Sequence, residues 1–167
     1  MANTYTAIAT VTVGSGGAAT IDFTSIPNIY TDLCLKVSGR SNNSSDYYST
    51  LTMTFNGTNT YTNRILFGTG SGTGSGTDTS IKPFVQASSA TANTFGQNEF
   101  YIPNYAGSNA KSVSMDMVTE NNATNALALL GAGLSSGTSA ISSITLSVGS
   151  DLFVQYSTAT LYGIKNS

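Results

Sequence analysis

Residues Lys111–Glu120 read KSVSMDMVTE, with Val113, Met115 and Met117 at every second position and Ser112, Ser114 and Asp116 between them. Successive side chains of a β-strand point to opposite faces, so this period of two predicts a strand with one apolar and one polar face. The same pattern recurs on both sides of this stretch. Thr31–Arg40 sets Leu33, Leu35 and Val37 against Asp32, Cys34, Lys36 and Ser38, and Tyr48–Asn56 turns Leu51, Met53 and Phe55 to one side. Thr4–Val13 and Ala18–Phe23, joined through Gly14–Gly17, read as a first β-hairpin. Pro27 interrupts the pattern, because proline lacks an N–H. Arg64–Phe67, Ile81–Gln86, Thr94–Ile102, Ile141–Val148 and Ser157–Ile164 read as further strands, and Asn56-Gly57 as a turn. Ala126–Leu134 (ALALLGAGL) carries helix-favouring Ala and Leu, but Gly131 and Gly133 and its shortness assign it to a buried strand.

Roughly ten short strands with turn signals between them and no helix predict an all-β chain of antiparallel sheets. A jelly-roll-like β-sandwich fits first, an open barrel second. The chain of 167 residues fits one domain over residues 1–167. Thr69–Thr79 (TGSGTGSGTDT) reads as a flexible, glycine-rich surface loop within it, since glycine at this density offers nothing to bury.

Composition narrows function more than it names it. Only 8% of residues are charged, against about 25% in an ordinary soluble domain, and there is no His, no Trp and one Cys. A Ser-His-Asp triad is excluded, and a zinc centre has no ligand set. Asp116 and Glu120 share a strand face but stand about 13 Å apart at ~3.3 Å per residue, which reads as solvated surface and not as a hydrolytic pair. Neither an enzyme nor a bound cofactor is expected. Asn42, Asn43 and Asp46 cluster in one loop and Asp78 follows the glycine run, but this is a poor calcium pattern, without repeated acids. No Gly-Lys-Ser/Thr follows the glycines, so they do not read as a phosphate loop. The six basic residues are scattered, which argues against nucleic acid as a partner. Cys34, between Leu33 and Leu35, reads as a buried, inert thiol. The start, MANTYTAIATVTV, lacks a basic region and an unbroken apolar run, so neither a signal peptide nor a membrane segment is expected. Exposed tyrosines beside amides and hydroxyls are the remaining recognition chemistry: Tyr5, Tyr47, Tyr48, Asn104 and Tyr105 are the candidate contacts to a protein partner or a glycan.

Four segments carry a family resemblance: MANTYTAIATVTVGSGGAATIDFTSIPNIYTDLCL at the start, FYIPNYAG (Phe100–Gly107), ENNAT (Glu120–Thr124) and VQYSTATLYGIKNS (Val154–Ser167). They resemble small all-β virion structural proteins of tailed bacteriophages that infect aquatic bacteria, cyanophage-like in character. The resemblance spans nearly the whole chain, loosely over the glycine-rich region, and rests on strand-and-turn signatures. It implies a protein made in the host cytoplasm and incorporated in the virion, with the major capsid protein or other virion proteins as partners. The expected role is capsid decoration or cementing as a homo-oligomer, with contact through an apolar sheet face or the segment near Ala2–Tyr5. The alternative is a tail- or fibre-associated module that recognises host surface glycan.

Overall fold

The computed structural model describes residues 4–58, 61–122 and 126–165. In chain order the strands are β1 (Tyr5–Thr12), β2 (Thr20–Phe23), β3 (Asp32–Gly39), β4 (Tyr48–Thr50), β5 (Thr52–Phe55), β6 (Tyr61–Gly68) and β7 (Thr73–Asp78). There follow β8 (Phe84–Gln86), β9 (Gly96–Pro103), β10 (Lys111–Val118), β11 (Ala128–Ser135), β12 (Ile144–Ser147) and β13 (Thr158–Ile164). All ladders between these strands are antiparallel, the usual arrangement for alternation with one buried face, and one isolated bridge, Arg40 with Gln86, is parallel.

Eight strands form one broad sheet in the order β1-β13-β3-β9-β10-β11-β6-β7. A sheet of three, β2-β12-β5, and a sheet of two, β4-β8, form the opposing layer. The division is uneven, where a jelly roll shares its strands between two comparable sheets. One apolar cluster lies between the layers, with Leu33, Leu35, Phe100, Ile102, Val113, Met115 and Leu161 from the broad sheet. Ile21, Met53, Ile81, Val85, Ile144 and Leu146 meet them from the other side. Gly131 and Gly133 make room for facing side chains: a Cβ on Gly133 would stand 2.9 Å from Ile81 Cγ1 across the core, and one on Gly131 2.7 Å from Met115 Cγ of the neighbouring strand β10. Glycine lets both side chains rest on the backbone of β11.

Four sequence expectations need correction. Thr4–Val13 and Ala18–Phe23 are not a hairpin, because β1 pairs with β13 and β2 with β12, in different layers. Tyr48–Asn56 is not one strand: β4 joins β8 and β5 joins β12, with Leu51 fully buried between them. Ala126–Leu134 is a strand but not a buried one, since Leu130 is 65% and Leu134 46% exposed. Its outward face is apolar too, so its pattern does not tell which face is wet.

Nor is Thr69–Thr79 a loop throughout: residues 73–78 are strand β7, paired with β6 over six positions without a register shift. Glycine has a low strand propensity, and the neighbouring strand compensates. Gly74 lies opposite Phe67 and Gly76 opposite Ile65. A Cβ on Gly74 would stand 2.5 Å from Phe67 Cζ, and one on Gly76 3.3 Å from Ile65 Cγ1. The ring and the branched chain fold over the bare backbone and supply the packing glycine lacks, a device known from edge glycines.

Candidate interaction surface

The inner face of the broad sheet belongs to the core, so a contact made by this sheet uses its outer face, its two edges or its loops. Two rows across all eight strands describe the outer face. One runs Ala7, Tyr162, Cys34, Tyr101, Ser114, Ala132, Arg64, Thr77. The next runs Thr10, Thr160, Lys36, Glu99, Asp116, Leu130, Leu66, Ser75. The second row changes character midway, from hydroxyl and charged groups on β1 to β10 to the two leucines on β11 and β6.

The apolar half is the unusual one. Leu66 is 64% and Leu130 65% exposed, and they are direct cross-strand neighbours. Val118 and Leu134 are also exposed, and Ala128 and Ala132 fill the same face of β11. Shallow grooves of about 800 and 700 Å³ run along this band, one bordered by Gln97, Asp116 and Val118, the other by Arg64 and Thr77. Such a band covers on the order of 400 Å², within the range of the largest patch on a monomer and often functional. Single exposed leucines need no explanation, but a cross-strand leucine pair on a regular sheet face does.

The polar half is tied to itself. Lys36 Nζ meets Glu99 Oε2 at 2.8 Å, and the hydrogen bond to Glu99 raises the Lys36 pKa. Tyr101 donates its hydroxyl to Asp32 Oδ2 at 2.6 Å, and that bond, ahead of burial, pushes its pKa up to about 12. Asp32 Oδ1 accepts the Asn104 N–H at 2.9 Å, so one carboxylate fastens the end of β9 to the turn beyond it. Cys34 lies between Tyr162 and Tyr101 in its row and is fully buried, in keeping with an inert thiol. Burial first, then the Glu99 charge, raises its pKa to about 11.

The five candidate contacts do not form one site. Tyr5 sits half-exposed at the outer edge, its ring edge-on to Tyr162 at 6.1 Å. Through Ile164 and Asp32 it shares a row with Pro103, which brings it to the same end of the sheet as exposed Asn104. Ala2 and Asn3, of the expected N-terminal contact segment, lie outside the described residues. Tyr47 and Tyr48 belong to the opposing layer, edge-on to each other at 4.9 Å, with Tyr48 packed on Phe84 at 4.6 Å. Tyr105 is corrected outright: it is fully buried and donates its hydroxyl to the Pro27 carbonyl, so it is a core residue and not a contact. A turn residue with an aromatic ring reads the same in sequence whether the ring points in or out. The leucine band is hidden in the sequence for a related reason: an apolar run such as ALALLGAGL predicts a buried strand and does not say which face is wet.

The calcium-like loop has structural duties. Asn42 Oδ1 accepts from Leu152 N at 2.8 Å, Asn43 Oδ1 from Ser45 N at 2.8 Å and Asp46 Oδ1 from Tyr47 N at 2.7 Å. Among the described residues no three His, Cys, Asp or Glu side chains gather where they would hold a metal ion. A polar cleft of about 540 Å³ opens between the layers beside β7. Asn43, Thr50, Thr52, Asp78, Lys82, Phe84 and Asp151 are among its lining residues. Within it Lys82 Nζ and Asp78 Oδ1 pair at 3.2 Å. No family model, no curated protein and no solved structure matches the chain.

Proposed function

We propose that this chain is a non-enzymatic structural protein of a phage particle, a decoration or cement protein that docks on the capsid's outer shell in many copies. One observation supports this reading above the others: the exposed Leu66–Leu130 band on the outer face of the broad sheet. An exposed apolar band suits lasting contact with another protein surface, where burial of apolar area drives association. Many weak, identical contacts on a lattice add through multivalency, so no single site has to be tight. The sequence resemblance to virion structural proteins points to the same role. The partner is then the major capsid protein, and the protein's location is the virion.

Quantitative mass spectrometry of purified particles tests this. Hundreds of copies per particle are expected, and a few tens or none would refute it. In a matching binding assay on bare capsids, the double variant Leu66→Thr/Leu130→Thr keeps the wild-type melting temperature, because both side chains are already about two-thirds in water. Docking buries that exposed part, which contributes about 1–2 kcal/mol per leucine, so docking of the variant weakens by at least about 30-fold.

A second reading, glycan recognition on a tail or fibre, has its own support in the polar cleft beside Asp78 and Lys82, where hydroxyl, amide and carboxylate groups surround Phe84. A glycan array with the full chain tests it. Binding that Asp151→Ala abolishes supports it, and no binding removes it.

A further inference from the structure

The two edges of the broad sheet are built differently. At one edge β1 carries a register shift between Ala7 and Ala9, a bulge of the kind that spoils pairing with another strand. At the other, β7 has a ladder on one side only and none of the usual protections: no proline, no bulge, and no charge before Asp78, which Lys82 neutralises. Thr69 N donates to Gly72 O at 2.9 Å in the turn that joins β6 to β7. Hydrogen-bonded pairs alternate along an antiparallel ladder, so Gly74, Gly76 and Asp78 direct their backbone groups at β6. The N–H and C=O groups of Thr73, Ser75 and Thr77 face outward from the sheet.

These outward groups sit in TGSGT, Thr73–Thr77, which reads the same in both directions about Ser75. Two antiparallel copies related by a two-fold axis at Ser75 bring Thr73 of one opposite Thr77 of the other, Gly74 opposite Gly76, and Ser75 opposite Ser75. Every outward donor then meets an outward acceptor, for about six hydrogen bonds, and no side chain meets an unlike neighbour.

We infer that β7 is the self-association edge: a second copy of this chain pairs with it in antiparallel register about Ser75 and makes one continuous sheet. The row that contains Ser75 also contains Leu66 and Leu130. In the dimer it runs Leu130, Leu66, Ser75, Ser75, Leu66, Leu130, about 24 Å at ~4.8 Å per strand. Both leucine bands face the same side. Together they offer on the order of 800 Å², the share one partner brings to an interface of standard size. The pairing rests on the edge itself and not on the capsid reading, so either stands if the other falls.

Sedimentation velocity of the full chain from about 1 to 300 μM is the test. A monomer–dimer equilibrium is expected. Ser75→Pro removes only outward-facing donors and so leaves the β6–β7 ladder and the circular dichroism spectrum unchanged, while dimer affinity falls at least about tenfold. Ser75→Lys and Ser75→Glu each place like charges across the axis and dissociate the dimer, and an equimolar mixture of the two restores it. A monomer at every concentration overturns the inference. So does a dimer that survives the Ser75 substitutions, or one that is lost in Leu66→Thr/Leu130→Thr instead, which would place the contact on the sheet face.

Discussion

Arg40 is one of six scattered basic residues in the sequence, and the structure makes it the organiser of the segment between β8 and β9. It is 7% exposed. Nη1 donates to Thr91 O at 2.9 Å, Thr94 O at 2.8 Å and Thr94 Oγ1 at 3.2 Å, and Nη2 to Ser88 O at 3.2 Å and Ala90 O at 3.1 Å. Burial lowers its pKa, yet a guanidinium stays charged at any ordinary pH, so all are charge-assisted bonds. Arg40→Met keeps the stem and removes every donor. Hydrogen bonds to charged groups are each worth about 1.5–3 kcal/mol, but these share one group and do not add. Ser88 and Thr91 are exposed, so their carbonyls recover water when the guanidinium is gone. The expected loss is about 3 kcal/mol, or a melting temperature lower by about 6–12 °C in a domain of this size. Arg40→Lys, with three donors and no planar fork, recovers a minority of it. Urea unfolding followed by tyrosine fluorescence measures both, since no Trp competes. Hydrogen exchange at Ala90 and Thr94, whose amides bond to Ala87 O and Thr91 O, reports the local effect. A loss below about 0.5 kcal/mol for Arg40→Met, the range of ordinary surface changes, refutes the reasoning, as does a global loss without faster exchange at these amides.

Alkaline pH should expose the buried thiol of Cys34. Its pKa rises from 9.0 to about 11 in the fold, so the stability it contributes is complete below pH 9 and is lost as pH climbs through about 11. Between pH 8 and pH 10 the wild type should lose about 1 kcal/mol more than Cys34→Ala in urea titrations, and parallel pH profiles would contradict this. Gly74→Val should destabilise by about 1–3 kcal/mol, because the new Cβ stands 2.5 Å from Phe67 Cζ and the ring must leave the strand. Phe67→Ala in the same background should remove most of that penalty in thermal melts, and simple additivity of the two changes would show that the ring is not its source.

Where the sequence was readable, one face was apolar and the other polar. β3, β9, β10, β12 and β13 fall on the expected stretches because burying their leucines, methionines and isoleucines on one side leaves no other register. A subtler sign lies in β1, where Ile8 and Val11 break strict alternation. The bulge between Ala7 and Ala9 restores phase and lets Ile8, Val11 and Val13 all reach the core. The candidate contacts were less readable. Tyr105 and Tyr5 are the same residue type in similar polar surroundings, and only packing against Pro27 or against Tyr162 separates a core ring from a surface one.

The sequence by itself determined the class of chain: all-β, antiparallel, poor in charge and without His for the commonest acid–base and metal chemistry. Period and composition are local properties, and each residue carries its part of them. Only the tertiary structure decided which strands are neighbours, because a ladder such as Ala7 with Tyr162 joins opposite ends of the chain and backbone hydrogen bonds carry no label of their partner. It also decided that the glycine run is a strand, since Phe67 and Ile65 had to arrive from β6 to cover it, and that Leu66 and Leu130, placed side by side, face out.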